Sequence, residues 1–466
     1  MQRESRQEIE SKSHHKPEPH GRTVEERVAE GRSLRKRTPR SSHATWKASL
    51  RRPDPVSLLI KTDQGLLADL LPIRYGRMRQ SPFAFYRGAG ALMAFDISKT
   101  PATGLRVQGC GDCHVANFGG FGSPERTLVF DINDFDETLP APWEWDVKRL
   151  AASIVLAGRV RDMREHDCDD AARIAVESYR NHMREYARMP AIDVWYSHLE
   201  ASILIDDSRG SAARKRWIDV EEEAKSQTAT HALPRITEVS KGRRRIIDRP
   251  PLVYHSRQLA KVEKTIRDIF RRYRETLPEE RRVILDRYHI VDIARKVVGI
   301  GSVGTRCAVA LLMAGENDPL FLQFKEARAS ILEPYAGRSC YENHGQRVVT
   351  GQRMLQAASD VFLGWTRDDN GRDYYFRQLR DMKMTVDFST LSKQEWKEYV
   401  SVCGWTLARA HARTGDSAKI AGYLGKNEAF DEAIRKFAVA YADQTERDYA
   451  ALVKAIRTGR LRAKEA

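Results

Sequence analysis

Long apolar runs are missing from this sequence: no stretch approaches the roughly 18–20 uninterrupted apolar residues that a spanning helix needs. Its opening, MQRESRQEIESKSHHKPEPHGR, lacks the apolar centre of a signal peptide, so a cytoplasmic protein with no membrane partner is expected. Cysteine is sparse, six in 466 residues, which excludes a disulfide framework and fits a reducing compartment. Aromatic residues make up 8% and are not interleaved with the basic ones, so a base-stacking surface is disfavoured despite a net charge of +15. Much of that charge lies in polar ends that read as solvated basic tails: residues 1 to about 53, including RSLRKRTPR (Arg32–Arg40), and the closing RTGRLRAKEA.

What is present is the composition of a folded protein, since 41% hydrophobic and 31% charged residues exclude both wholesale disorder and a fibre. Pro53–Leu71 reads as a helical lead-in, and Arg74–Asp96 mixes arginines, aromatics and glycines as a packed loop beside a site would. Leu105–Asp136 holds two strand-like runs, LRVQGCG and RTLVFDIND, around a Gly-rich loop. Helical periodicity follows from Trp143 to about Tyr196, then a charged segment with KGRRRIIDRPP, then helix again over Gln258–Tyr288. The pattern turns to short β runs around glycines over Val291–Ala327; a helix near Arg347–Ser359 and a strand at Asp373–Leu379 come next, and the sequence is helical from Lys393 onward.

Two constellations could carry chemistry. In Gly111-Asp112-Cys113-His114-Val115-Ala116-Asn117, an Asp precedes an Asn by five positions, the spacing of a phosphotransferase catalytic loop. Phosphoryl transfer needs a carboxylate to hold or deprotonate the attacking hydroxyl and oxygen ligands for Mg²⁺. Asp112 has the first role, Asn117 belongs to the metal set, and His114 could act as a base or orient Asp112. Asp131 ends an apolar run as a metal-binding Asp does; Asp134, followed by Phe135, competes with it, and spacing does not separate the two.

The second constellation is Gly299-Ile300-Gly301-Ser302-Val303-Gly304, followed by an apolar run, the turn GENDP and a second run through Lys325. A dinucleotide fold would place a helix directly after the glycines. Strand, glycine loop, strand, turn and strand with a lysine is instead the order that covers ATP phosphates and pins them with an ammonium group. Gly299, Gly301, Ser302, Gly304 and Lys325 are therefore nucleotide-binding candidates. A helix glutamate should hold the lysine, but Arg347–Ser359 contains no acid, and Glu326, Glu333 and Glu342 all remain open. Cys110-Gly111-Asp112-Cys113-His114 matches the haem-attachment pattern C-x-x-C-H, yet without an export segment two incidental thiols are expected. Arg87 could neutralise phosphate or serve a structural ion pair, and His411 is expected in a helix core.

SPFAFYRGAG, GDCHVANFGGFGSPERTLVFDINDFDETLPAPWEWDVKRLAAS, VVGIGSVGTR, LFLQFKEA, GQRMLQAASDVFLGW and LARAHARTGD together resemble the uncharacterised bacterial family catalogued as domain of unknown function 2252, over about residues 70 to 450. The catalytic-loop segment is also similar to aminoglycoside and choline phosphotransferases, with Cys110 where their loop has a histidine. In kinases the glycine loop precedes the catalytic loop; here it follows by nearly two hundred residues, which a circular permutation would explain.

The fold expected is α+β, a two-lobe kinase-like architecture in permuted order. It divides into a disordered tail over 1–53, the catalytic loop and helical lobe over 54–289, a nucleotide lobe over 290–392 and completing helices over 393–466. The function expected is ATP- and Mg²⁺-dependent phosphotransfer to an unassigned, small-molecule hydroxyl acceptor. The rivals are a non-catalytic nucleotide-binding regulator and, behind it, a basic nucleic-acid-binding protein whose salt-dependent association would survive loss of residues 1–53.

Overall fold

The run WDVKRLAASIVLAG is apolar almost all round, and such a helix belongs inside a protein. In the computed structural model, which describes residues 21–49, 51–203, 211–256, 263–379 and 382–464, helix Trp143–Val160 is buried over nearly its whole length. Helices Glu165–Tyr186, Lys393–Ala412 and Ala429–Arg457 pack around it. The protein is thus α+β, with antiparallel sheets beside a helical region. Among the described residues no helix is long and apolar enough to cross a membrane.

Two small sheets adjoin these helices. β1 (Arg106–Gly109) pairs with β4 (Leu139–Pro142), while β2 (Phe118–Gly122) and β3 (Leu128–Ile132) form a hairpin. β2 occupies part of the expected Gly-rich loop. It is glycine-rich because the short strand Met384–Thr385 lies against it, so that a Cβ on Gly119 would overlap the Met384 carbonyl.

A further hairpin joins β5 (Thr237–Ser240) to β6 (Arg243–Ile246). The largest sheet comprises β7 (Val253–Tyr254), β8 (His289–Lys296), β9 (Cys307–Gly315), β10 (Asp318–Ala327), β11 (Gly364–Arg367) and β12 (Asp373–Gln378). Its order is β11-β12-β10-β9-β8-β7, with every neighbour antiparallel. Helix His344–Leu355 connects β10 to β11 and packs against β10, β11 and β12. β9 and β10 are nearly continuous apolar runs because both faces are covered. Ile269, Phe270 and Tyr273 meet Phe324 and Phe376 on one side, while Ala232, Leu233 and Ile246 meet Val309, Leu311 and Phe321 on the other.

Three expectations differ from what is observed. Residues 21–49, read as unstructured tail, contain helix Val24–Ser33, started by a Thr23/Glu26 capping box. That helix packs on helix Ser417–Leu424 so closely that a Cβ on Gly31 would overlap the Lys419 carbonyl; Arg27 pairs with Asp416 at 3.0 Å and His43 meets the Tyr423 hydroxyl at 2.8 Å. Residues 1–20 lie outside the described part. The segment 74–96, expected as a loop, is helix Leu71–Met78, helix Pro82–Gly88 and helix Gly90–Ile97; a proline opens each of the first two and Ser81 caps the second. Packing around the large sheet also starts well before residue 290: Ala232, Leu233, Ile246, Ile269, Phe270, Tyr273 and Leu285 go with that sheet rather than with the central helices.

Candidate functional site

The loops from β1 to β2 and from β3 to β4 run side by side, because each crosses from one small sheet to the other. They touch: Asn133 donates its amide to the Asn117 carbonyl at 2.8 Å, and Thr138 donates its hydroxyl to the Gly109 carbonyl at 2.7 Å. Gly111 has φ +82°, and a Cβ there would overlap the Glu137 carbonyl, so the first loop demands glycine at that point. Asp112 and Asn117 thereby lie beside Asp134 and Asp136.

Across from them is the glycine loop. Gly299 and Gly304 have positive φ, and the loop is held by its carbonyls. Arg74 donates to the carbonyls of Ile300 and Gly301, Arg77 to Gly299 at 2.6 Å, and the Leu67 amide to Gly304 at 2.8 Å. Between the two loop systems lies a cleft of about 490 Å³, lined by residues that include Arg87, Asp112, His114, Asn117, Asp134, Asp136 and Gly299–Ser302. Lys325, on β10, reaches Ser302 Oγ at 2.5 Å and forms an ion pair with Asp136.

Each charge in the cleft has a traceable environment. Burial pushes the Asp112 carboxyl up, but the guanidiniums of Arg149 and Arg87 outweigh it and hold it below the usual carboxylate range. Both Arg149 contacts fall on Oδ1, the Nε one at 2.6 Å; the His114 ring lies 3.8 Å from Oδ2. Asn117 donates Nδ2 to the Asp112 carbonyl at 2.8 Å, fixing the loop's turn. Burial raises the Asp134 carboxyl, and Asp136 beside it raises it further. Asp136 itself is held low despite burial, because Lys325 neutralises it and the Tyr375 hydroxyl donates to it at 2.8 Å. Burial lowers His114 to about 3, so its imidazole is neutral, and Nδ1 has no hydrogen-bond partner.

The cleft thus brings together Asp112, His114, Asn117, Asp134 and the glycine loop with Ser302, and Lys325 joins them through its contacts with Ser302 and Asp136. Asp131 is elsewhere. Its side chain is 1% exposed, accepts from Arg409 at 2.6 and 2.8 Å, and takes the Ala357 amide at 2.9 Å. Glu326 pairs with Arg306 at 3.1 Å, and Glu333 lies 3.8 Å from the His344 ring; the acid on Lys325 is Asp136, which no spacing rule singled out. Among the described residues no group of three or more His, Cys, Asp or Glu side chains is placed to hold a metal ion by itself.

Sequence reasoning also missed the supports. Cys110 and Gly111 donate their amides to Asp146 at 2.8 and 3.1 Å, and His411, which also meets the Tyr179 hydroxyl at 2.9 Å, bonds Asp146 at 3.2 Å. Asp146 and His411 therefore brace the loop that has Cys110 in place of a histidine. Asp146 and Arg149 belong to a cluster of buried charges, with Glu144 and Lys148, in the first turns of a helix that is mostly apolar beyond them, and that incongruity was the available signal. Cys110 and Cys113 are fully buried, and burial pushes both thiols up, so they form a packed wall with no opening for a covalent group.

Glu137, at the cleft edge, accepts the Ile331 amide at 2.8 Å and is pushed up to about 7 by burial. A raised carboxyl contributes stability that is full below its unfolded value and is lost as pH rises through the folded one. Glu137→Gln should therefore match wild type at pH 4 and exceed it at pH 8 by on the order of 2 kcal/mol, allowing for its opening to the cleft. Denaturant unfolding at the two pH values checks this.

Fold and cleft define an α+β protein in which acidic loop residues and a glycine loop, far apart in the chain, face each other. The chain belongs to the family described as "uncharacterized protein conserved in bacteria" (DUF2252), whose model matches residues 66–455. No curated protein and no solved structure matches the chain.

Proposed function

We propose that this protein is an ATP- and Mg²⁺-dependent phosphotransferase of kinase-like type, encoded in permuted order and acting on a small-molecule hydroxyl acceptor. The observation that carries the reading is the meeting of Asp112, Asn117 and Asp134 with the glycine loop and Lys325, 189 residues beyond Asp136, in one cleft. In support, the five longer strands of the large sheet follow the succession first, second, third, fifth, fourth, with a helix between third and fourth. That is the arrangement expected when a glycine loop joins the first two and a lysine ends the third. A permutation also requires the end of helix Lys393–Ala412 to lie beside β1, and Thr414 there accepts the Gln108 amide at 3.1 Å.

The donor set fits Mg²⁺ bound partly by phosphate oxygens, because that ion commonly takes one or two protein carboxylates and leaves its other positions to phosphate and water. Asp134, raised by burial and short of a cation of its own, with Asn117 beside it, would hold the ion. When bound, the ion would neutralise charge on the transferred group. Asp112 is kept ionised by Arg149 on Oδ1, so its Oδ2 can orient an acceptor hydroxyl and take its proton. His114, neutral and edge-on to Phe83, closes one side against water. Lys325, freed from Asp136, would meet a donor phosphate beneath the glycine loop.

A thermal-shift titration with ATP plus Mg²⁺ tests the reading. Ligand at about 100 times its Kd should stabilise the protein by about 2.7 kcal/mol, and the shift should need the metal. No shift at saturating ATP would sink it. One observation favours a non-catalytic, nucleotide-binding regulator: helix His344–Leu355 offers Lys325 no carboxylate and instead places Arg347 on the carbonyls of Thr138 and Asp136 at 2.6 and 2.7 Å. A metal-dependent shift without ATP turnover on any hydroxyl acceptor would support that second reading.

A further inference from the structure

The short helices before the first loop contribute a group that the proposed chemistry has not used. Ser81 caps helix Pro82–Gly88, accepting the Ala84 amide at 3.1 Å, and Phe83, Phe85 and Tyr86 anchor it in the interior. Arg87 projects from this anchored turn into the cleft, with its guanidinium 5.9 Å from the Phe83 ring centroid. Its own carbonyl lies 3.0 Å from where a Cβ on Gly301 would stand, so the glycine loop sits directly against it.

Apart from Lys61, which is exposed, the other large cations at the site are engaged. Arg149 holds Asp112, Lys325 holds Asp136, and Arg74 pairs with Asp63 at 3.0 Å while gripping loop carbonyls. Arg328 donates to the Gln64 carbonyl at 2.6 Å, and Arg347 is spent on carbonyls. Arg87 Nε is buried and has no acceptor. Burial pushes the Arg87 guanidinium below its usual value and Asp112 and Asp134 offset part of that, while a guanidinium stays ionised in any case. His114, 3% exposed and lining the same cleft, leaves Nδ1 unpartnered as well. A buried donor without an acceptor costs free energy in the empty protein and recovers it when an oxyanion arrives; Arg87 is half-buried with its Nε unpartnered, and a phosphate can meet a guanidinium in two places.

We infer that Arg87 is the anion receptor of the cleft, binding one phosphate group between the glycine loop and Asp112. This rests on the phosphotransferase reading and extends it to the reacting end of the substrates. The phosphate is either the terminal one of the donor or one carried by the acceptor. The helices at residues 71–97 thus supply substrate contact as well as support for the glycine loop.

Calorimetric titrations of the full chain separate these cases, using wild type, Arg87→Lys and Arg87→Gln with ATP, ADP and inorganic phosphate, each with Mg²⁺. Loss of one charged hydrogen-bonding group should weaken a phosphate-bearing probe by about tenfold or more in Arg87→Gln, with partial recovery in Arg87→Lys. The melting point of the ligand-free protein should stay level or rise, since an unpartnered buried charge has been removed. ATP weakened with ADP unchanged assigns the contact to the donor's terminal phosphate. Nucleotides unchanged, with inorganic phosphate no longer binding beside ADP, assigns it to the acceptor. Arg87-dependent phosphate binding in a protein indifferent to both nucleotides keeps the receptor and removes the nucleotide reading. The assignment is overturned by equal losses for ATP and ADP, by wild-type affinity of Arg87→Gln for all three probes, by no binding of any probe to wild type, or by a lowered melting point that Arg87→Lys does not restore.

Discussion

Asp131→Asn should cost about 3 kcal/mol or more of stability, because it leaves the Arg409 guanidinium charged and uncompensated in the interior. Arg409 is 0% exposed and its only ion-pair partner among the described residues is Asp131. The pair also links three elements: Asp131 is on β3, Arg409 is on helix Lys393–Ala412, and Arg409 further donates to the Leu355 carbonyl at 2.8 Å at the end of helix His344–Leu355. Its loss should loosen the large sheet's helix from the central helices. The measurement is the melting point of the ligand-free variant beside wild type. A variant that melts as wild type does but no longer responds to ATP and Mg²⁺ would return Asp131 to the metal set.

Asp134→Asn should show the converse pattern. Its carboxyl is raised by burial and by repulsion from Asp136, so neutralising it leaves ligand-free stability level or slightly higher. The metal-dependent thermal shift should disappear, and turnover on an accepted hydroxyl substrate should fall by about 10²–10³-fold, the scale of losing one preorganised electrostatic contact. Asp134 is a cleaner probe than Lys325, whose removal would strand the ionised Asp136 among Tyr375 and Ser302. Undiminished metal-dependent binding in Asp134→Asn would remove this carboxylate from the site.

The contrast between two aspartates three positions apart shows how far the sequence reaches. Asp131 and Asp134 compete as metal ligands because spacing admits both. Asp131 lies in β3, which fixes its side chain toward the helices, whereas Asp134 lies past the strand end, where the chain turns into the cleft. The choice depends on which face of a strand meets helix Lys393–Ala412, whose Arg409 is 278 residues away, and local pattern carries no such information.

By itself the sequence determined what local periodicity and short spacing encode. The central apolar helix, the two long strands around GENDP, the Asp-to-Asn spacing of the first loop and the glycine pattern of the second were legible, because each depends on residues a few positions apart. The capping box at Thr23 was not read from the sequence, because the charge around it reads as solvated until helix Ser417–Leu424 supplies a surface for it. Only the tertiary structure decided which charges meet: Asp136 on Lys325, Arg149 on Asp112, Asp146 and His411 beneath the first loop, and Arg87 left without an acceptor. Ion pairing depends on distance and burial in space, and residues brought together from 189 or 265 positions apart have no fixed separation in the chain to announce them.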